Sequence, residues 1–245
     1  IVLNDGVTTI SYGAFVGCGK LESLTIPTTV TTTDSYIISR NETIVYYKGT
    51  LAQWKKLLED NDDGDYDSSL KYYTVYCSDE AYHPSGSCGE NVTWKFDTVT
   101  GTLIISGTGA MANYEYYEDY YGEVYVVDRP WEMFAYDTKS VVIEDGVTTI
   151  GACAFLDCSN LTSIEIGDSV ESINFSAFSY CDNLEKFIVD ENNQHYSSDE
   201  YGVLFNKDKT KLIECPVGNK MTNYTVPDTV TEIASSAFVG CSSLV

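Results

Sequence analysis

The sequence predicts a β-rich solenoid, in which short coils of about 23 residues stack on one another. Three observations predict it: a recurring pentapeptide, a constant spacing of apolar positions, and an alternation of apolar and polar residues in each unit. The pentapeptide Ala-Phe-x-x-Cys occurs four times, at 14–18, 154–158, 177–181 and 237–241. A unit of this length cannot bury its own apolar face, so it must stack on its neighbours.

The longest repeated block shows how regular the pattern is. Residues 1–33 and 141–173 align without a gap, at an offset of 140. Within this alignment, the six residues Asp5–Ile10 recur letter for letter as Asp145–Ile150. The chain therefore contains two copies of the same run of coils.

The step from one coil to the next is 23 residues, as between Ile166 and Val189. The following step, from Val189 to Val226, is 37 residues. The excess falls near 201–215, where two β-like runs flank a polar Lys-Asp-Lys turn. This pattern predicts an inserted hairpin, in a coil that lacks its own Ala-Phe-x-x-Cys.

A single coil can be interpreted physically. Ile164 and Ile166 alternate with polar neighbours, which is the pattern of a half-buried strand. Phe178 and Cys181 lie three residues apart, which suits one helical or 3₁₀ turn that closes the coil. We expect the cysteine to be a small buried thiol that packs against the next coil.

The repeat Leu-x-Ser-Ile-x-Ile…Val-x-x-Ile…Ala-Phe-x-x-Cys-x-x-Leu resembles the BspA-like leucine-rich repeat family of bacterial surface proteins. The resemblance covers residues 1–33 and 141–245. It implies a right-handed leucine-rich-repeat solenoid, a bacterial source, a location at the cell surface, and a non-enzymatic role in adhesion. Two features depart from the family pattern: Thr33 stands where an apolar residue is expected, and the hairpin coil is irregular.

Two flanking segments resemble modules that accompany this family. Val45–Trp54 is similar to the segment that closes such arrays, and Leu51–Leu58 has the pattern of an amphipathic helix. Cys88–Trp94 and Gly101–Gly109 are similar to a β-rich segment that opens them. Alternation in Val124–Val127 predicts a further strand there.

These patterns predict five segments in order. They are the tail of a first array (1–36), a closing cap with one helix (37–77), a linker (78–87), a β-rich opening cap (88–140) and a second array (141–245). Caps are expected because a stack of coils has exposed apolar and hydrogen-bonding ends. Since the chain starts and stops inside repeats, we expect it to be a piece of a longer protein.

The composition excludes several partners. The formal net charge is -23 and the pI is near 4.1. Nucleic acids and anionic membranes require clustered Lys and Arg, so neither is expected as a partner. No apolar run approaches the roughly 18 residues of a membrane span, so we expect no direct insertion.

The eight cysteines do not form a metal-binding pattern. No Cys-x-x-Cys pair is present, which disfavours a zinc site or a thioredoxin-like motif. Cys77 and Cys88 flank a loop-like segment and are the best candidates for a disulfide.

Other candidate chemistry is weak. The acidic run from Glu59 to Asp67 resembles a calcium loop, but Leu70 stands where a bidentate Glu is needed, which favours a solvated acidic loop. His83 and His195 are isolated, and no nucleophile or phosphate-binding motif is present. We therefore predict no enzyme activity, no metal and no cofactor.

The expected binding surface is the outward row of the strands. If Ile164 and Ile166 point inward, Glu165 points outward. The equivalent positions in other coils are Val142, Ile188, Thr225, Val2 and Thr25. Exposed Val142 and Ile188 side by side would be unusual for a merely solvated face.

A tyrosine-rich segment offers an alternative surface. It contains Tyr116, Tyr117, Tyr120 and Tyr121 between acidic residues. Exposed tyrosines suit sugar-stacking or protein-binding surfaces, whereas the simpler interpretation is that half of them pack into the opening cap.

Three functions follow from these patterns. The first is an extracellular scaffold that binds host matrix or cell-surface proteins through the solenoid face. The second is a carbohydrate-binding surface module that binds glycans through the tyrosines. The third is a structural spacer in a larger surface protein.

Overall fold

The computed structural model describes residues 1–34, 36–38, 43–61, 70–118 and 124–245. The chain divides into two compact units. Unit 1 comprises Ile1–Pro84 and Phe96–Thr100, and unit 2 comprises Ser85–Lys95 and Gly101–Val245. In the described residues, no helix has both the length and the apolar character needed to cross a membrane.

Unit 1 contains six strands, one α-helix and one 3₁₀ helix among the described residues. They are β1 (Thr9–Ile10), β2 (Ser23–Ile26), β3 (Thr32–Thr33), β4 (Ile44–Tyr47), α1 (Leu51–Asp60), a 3₁₀ helix (Leu70–Tyr72), β5 (Val75–Tyr76) and β6 (Ala81–Tyr82). The main sheet has the order β2-β4-β5-β6, with parallel pairs except for β5 and β6. The small second sheet pairs β1 with β3 in parallel.

Helix α1 begins at a capping box. The Thr50 hydroxyl accepts from the backbone N–H of Gln53, and the Gln53 side chain accepts from the N–H of Thr50. The apolar face buries Trp54 and Leu57. The Trp54 ring lies 5.1 Å from that of Tyr47 on β4, so the helix covers one side of the main sheet. The sequence predicted this helix, which extends two residues beyond the predicted end.

Unit 2 is built mostly from strands. They are β7 (Ser85–Ser87), β8 (Val92–Asp97, whose last two residues belong to unit 1), β9 (Thr102–Gly107), β10 (Gly109–Ala110), β11 (Glu115–Glu118), β12 (Val124–Val127), a 3₁₀ helix (Glu132–Phe134), β13 (Ser140–Ile143), β14 (Val147–Ile150), β15 (Ser163–Ile166), β16 (Ser172–Ile173), β17 (Lys186–Val189), β18 (Tyr196–Ser198), β19 (Leu204–Asn206), β20 (Lys211–Glu214) and β21 (Glu232–Ile233). The predicted linker, 78–87, therefore includes two short strands, β6 and β7, because each finds an antiparallel partner.

The main sheet of unit 2 has the order β17-β15-β13-β9-β8-β7. Strands β9, β13, β15 and β17 are parallel and in register, and Ile143, Ile166 and Val189 are aligned partners. The inward positions Val141, Ile164 and Phe187 are all buried. A chain of rings, with neighbouring centroids 5.2–6.2 Å apart, ends at Phe187: Trp94, Trp131, Phe155, Phe178 and Phe187. The pentapeptide phenylalanines Phe155 and Phe178 are therefore core, whereas Phe15 and Phe238 are partly buried.

In the described coils, the segment around the pentapeptide forms successive hydrogen-bonded turns, where the sequence predicted one helical or 3₁₀ turn. Bonds such as Cys158 N to Phe155 O, at 3.2 Å, link residues three apart. The turns cannot continue as a helix because two residues per motif have a left-handed backbone, with φ between +54° and +81°. One precedes the alanine and one precedes the cysteine: Gly13, Cys153, Ser176 and Ser236, then Gly17, Asp157, Tyr180 and Gly240.

The inserted segment starts earlier than predicted. Strands β18 and β19 are antiparallel, as are β19 and β20, so the insertion has three strands and begins at Tyr196. Strand β20 then pairs in parallel with β21 of the next coil. The N–H of Cys215 donates to Ala237 O at 2.7 Å, as Phe155 N does to Ala177 O at 2.9 Å in the regular coil. The irregular coil thus keeps the inter-coil hydrogen bond without the pentapeptide.

In the first complete pentapeptide of unit 2, residues 154–158, two backbone carbonyls accept hydrogen bonds from side chains. In the regular coil, Ala177 O and Ser179 O accept backbone N–H groups of the preceding coil. The equivalent carbonyls of Ala154 and Leu156 accept from Arg129 Nη1, at 3.2 and 2.7 Å. A second donor to Ala154 O is the indole N–H of Trp131, at 3.1 Å. Buried Arg129 and Trp131 thus replace the missing donors of a preceding coil.

The cysteines are all free thiols, and the eight lie in the described part of the chain. Cys77 and Cys88, the best candidates for a disulfide, are therefore not bonded to each other. Cys158 and Cys181 are buried, and the Cys181 thiol donates to Phe155 O of the preceding coil at 3.1 Å. Cys18 is exposed, contrary to expectation; the equivalent position of the next coil lies outside the described residues.

The left-handed positions can be tested with two glycines of the first pentapeptide region. An added Cβ would meet open space at both Gly17 and Gly19, but only Gly17 has a left-handed φ, +79°. We expect Gly17→Ala to lower the free energy of unfolding by about 1 kcal/mol, because a Cβ strains this conformation. Gly19→Ala is the matched control, and urea unfolding measures both. Equal effects of the two substitutions would contradict the strain account.

The contribution of the Arg129 hydrogen bonds, which take the place of those from a preceding coil, can be tested by substitution. Arg129→Met keeps the packing of the stem but leaves the Leu156 carbonyl without this donor, so we expect a loss of about 3 kcal/mol in unfolding free energy. Trp131→Phe is expected to cost about 1 kcal/mol, since Arg129 still bonds to Ala154 O. The exposed Lys186→Met is the control, with an effect near zero. The prediction fails if Arg129→Met is as mild as Lys186→Met in urea unfolding.

Candidate binding surface

The predicted outward row of unit 2 lies on neighbouring strands. Val142 on β13 pairs in register with Glu165 on β15, which pairs with Ile188 on β17. Ile188 is 39% exposed, Glu165 is exposed and Val142 is half-buried. The parallel ladder therefore places these three side chains side by side on the face opposite the core.

The row extends one strand further than the sequence suggested. Ile104 on β9 is the registered partner of Val142 and is also half-buried. We call Ile104, Val142, Glu165 and Ile188 the outward row of unit 2. The regular spacing of the repeat could not reveal Ile104, because the step from β9 to β13 is longer than one coil.

The next row on the same face is polar. It consists of Thr102, Ser140, Ser163 and Lys186, aligned by the same register. The Ser140 hydroxyl donates to Thr102 Oγ1 at 3.0 Å, so part of this row is tied together. An apolar row and a polar row therefore lie next to each other on this face.

Thr225 does not continue the outward row as a strand residue. It is exposed, but it lies in a stretch without strand pairing. The three-stranded insertion accounts for this difference, because Gly202 O accepts the N–H of Phe187 on β17 at 2.9 Å. The insertion thus bonds to the strand that would otherwise receive the next parallel neighbour.

Unit 1 has its own outward row. Val2 forms an isolated parallel bridge with Thr25, Thr25 pairs with Tyr46, and Tyr46 pairs with Tyr76. Tyr46 is 41% exposed and Tyr76 is 36% exposed, and their ring centroids lie 5.7 Å apart. Partial burial, and then the charge of Asp97, raise the pKa of Tyr76 above its ordinary value.

Sequence reasoning missed both tyrosines of this row. The step from Thr25 to Tyr46 is shorter than one regular coil, and the step from Tyr46 to Tyr76 is longer, with helix α1 between them. Neither step matches the regular spacing of the repeat, so only the strand register brings the two rings together.

The tyrosine-rich segment forms a two-stranded antiparallel sheet of β11 and β12. Tyr116 and Tyr117 are exposed, at 45% and 54%, although successive residues of a strand face opposite sides. Tyr114 is buried against Trp131, with the ring centroids 5.6 Å apart. Tyr120 and Tyr121 lie outside the described residues.

The acidic run from Glu59 to Asp67, which the sequence favours as a solvated loop, falls largely outside the described residues, which stop at Asn61 and resume at Leu70. The Asn61 amide is already bonded: it donates to Leu57 O at 2.7 Å and accepts from Thr33 N at 3.2 Å. Within the described ranges, no group of His, Cys, Asp and Glu could hold a metal ion. His83 Nδ1 lies 3.2 Å from the Thr74 hydroxyl, and the His195 side chain is exposed.

The buried thiols have the ionisation of core residues. Burial raises the pKa of Cys158 and of Cys88 to about 12, and it raises the pKa of Cys77 to about 11. A thiol acts as a nucleophile or a metal ligand only when it is deprotonated. These cysteines are therefore neutral packing groups at physiological pH.

Among solved structures, the chain is similar to a leucine-rich repeat protein from Eubacterium ventriosum ATCC 27560, with 22% identity and a TM-score of 0.29 over 64% of this chain and 57% of that one. It is similar to a leucine-rich cell surface protein from Faecalibacterium prausnitzii A2-165, with 19% identity and a TM-score of 0.27 over 66% and 53%. It is also similar to the pneumococcal vaccine antigen PcpA, with 18% identity and a TM-score of 0.36. That match covers 95% of this chain and 48% of that one. The chain spans about half the length of each.

Sequence comparison identifies the repeat itself. The comparison with curated proteins gives no match. The family model of the BspA type leucine-rich repeat region matches residues 1–48, 132–217 and 215–245, with six copies of the repeat. These matches extend beyond the ranges expected from the pentapeptide, to residue 48 in unit 1 and back to residue 132 in unit 2. Because they span well over half of the sequence, the chain belongs to the BspA-type leucine-rich repeat family.

Proposed function

We propose that this chain is part of a bacterial cell-surface scaffold that binds host or neighbouring-cell proteins, without a catalytic step. In this proposal, the coils form a right-handed solenoid, with the helix-containing segment of unit 1 closing one array and the β-rich segment before β13 opening the next. Membership of the BspA-type family supports the scaffold role. The side-chain donors Arg129 and Trp131 support an opening cap.

The observation that carries the proposal is the outward row of unit 2. Three of its four side chains are apolar, and they lie on adjacent strands at the spacing of a parallel ladder. The strand backbones fix this spacing, so little conformational entropy is lost when a partner binds. Extended faces of this kind are the surfaces that repeat proteins use for binding.

The row is tested by adding charge to it. We expect Val142→Lys with Ile188→Lys to weaken binding to host matrix proteins, such as collagen and fibronectin, at least about tenfold, because a partner's apolar contact would then bury a charge. Phe175→Lys is the matched control, since Phe175 is 76% exposed and lies outside the row. Surface plasmon resonance with each immobilised protein measures the affinity.

Thermal unfolding of each variant checks that the fold is retained. Binding that survives the paired substitution, or that falls equally in the Phe175→Lys control, would exclude the outward row as the contact surface.

A second candidate is glycan binding by the β11–β12 sheet. It is favoured by the exposure of both Tyr116 and Tyr117, since exposed aromatic rings are the groups on which sugars stack. We expect Tyr116→Ala with Tyr117→Ala to abolish binding on a glycan array if this candidate holds. The Val142→Lys and Ile188→Lys variant serves as the control, because it changes the other surface. Glycan binding unaffected by the loss of both rings would remove this candidate.

A further inference from the structure

Unit 1 contains a second surface of different chemistry, which does not depend on the outward row of unit 2. Its centre is the ring pair of Tyr46 on β4 and Tyr76 on β5. We propose that Tyr46, Tyr76 and Asp97 form a binding site for a cationic side chain, an arginine or lysine presented by a partner protein.

The strand register fixes the two rings. Tyr46 and Tyr76 are directly paired in a parallel ladder, and both rings are more than a third exposed. Their planes are inclined by 34°, so they do not form the flat platform that suits a sugar ring. Two exposed ring faces close together suit a small cation, which is attracted to the negative face of an aromatic ring.

Hydrogen bonds hold the segment that contains Asp97 next to the start of strand β5. The N–H of Thr74 donates to Thr98 Oγ1 and the N–H of Thr98 donates to Thr74 Oγ1, both at 2.9 Å. These paired bonds tie the residue after Asp97 to the residue that precedes β5. The charge of Asp97 accordingly acts on the Tyr76 hydroxyl, where it helps to raise the pKa.

The Asp97 carboxylate is also oriented by its own turn. Its Oδ1 accepts from the N–H of Val99 at 2.9 Å and from that of Thr100 at 3.3 Å. Both of these bonds go to Oδ1, and Asp97 as a residue is half-buried. In the proposed site, the carboxylate provides the charge partner of the cation and the exposed rings provide the π-faces.

The charge of the whole chain favours the same occupant. There are 37 acidic and 14 basic residues, which gives a net charge of -23. Such a field raises the local concentration of cationic segments and steers them to the surface. The site then provides the short-range contacts that a general attraction lacks.

The test compares two peptides that differ only in charge. The probe is acetyl-Gly-Gly-Arg-Gly-Gly-amide, and its control carries citrulline, the neutral isostere, in place of arginine. Both are titrated into the full isotope-labelled chain at about 0.15 M salt, where long-range attraction is screened beyond roughly 8 Å. We expect the arginine peptide to shift the ring signals of Tyr46 and Tyr76, identified with the Tyr46→Phe and Tyr76→Phe variants. The citrulline peptide should bind at least about tenfold more weakly.

Variants then separate this site from general attraction. We expect Asp97→Asn, which keeps the turn acceptor, and Tyr46→Leu each to weaken arginine-peptide binding about fivefold. Tyr201→Leu is the control, since Tyr201 is 49% exposed but lies in unit 2. Equal shifts with both peptides, equal weakening in the Tyr201 control, or a stronger response to a neutral methyl glycoside would each overturn the proposal. Variants in the outward row of unit 2 should leave the titration unchanged, so the two proposals fail independently.

Discussion

The structure of this chain depends on backbone hydrogen bonds that pass from each coil to the next. A regular coil has one or two strands of only two to four residues, such as β13 with β14 or β15 with β16, so it satisfies few of its own N–H and C=O groups. The neighbouring coil supplies the partners, in both the sheet and the closing turns, as between Phe155 N and Ala177 O. This requirement holds the repeat length constant, because one extra residue would move every inward side chain of a strand to the other face.

The same requirement explains the irregular parts of unit 2. Where no regular coil precedes the first complete pentapeptide, Arg129 and Trp131 donate to the carbonyls that would otherwise lack partners. Where the insertion interrupts the coil, Cys215 still donates to Ala237 O and β20 still pairs with β21. Backbone groups at both places therefore find hydrogen-bond partners, although the sequences differ. The partners are side chains before the first complete pentapeptide, and they belong to an added antiparallel sheet in the irregular coil.

The regular coils were predictable from the sequence because their spacing, alternation and apolar residues all reflect this single periodic constraint. The inward positions Ile164 and Ile166, the helix beginning at Leu51 and the presence of an insertion were inferred correctly. The left-handed turns were not, since Asp157 and Tyr180 occupy positions where only Gly17 and Gly240 signal a positive φ. Contacts that do not repeat, such as those of Arg129, have no periodic signal and depend on the three-dimensional structure.

The candidate sites differ in predictability for the same reason. Three of the four members of the outward row of unit 2 follow from the alternation in regular strands, whereas the pair of Tyr46 and Tyr76 arises where helix α1 separates two strands that still pair in register. In the described part of the chain, no coil-to-coil hydrogen bond comes from a side chain of the two outward rows, so these side chains can change without loss of the fold. In unit 2 they are mainly aliphatic, and in unit 1 they become aromatic near a carboxylate. One backbone scaffold therefore carries two surfaces of distinct chemistry, and binding specificity is expected to reside in these outward residues and not in the repeated pentapeptide.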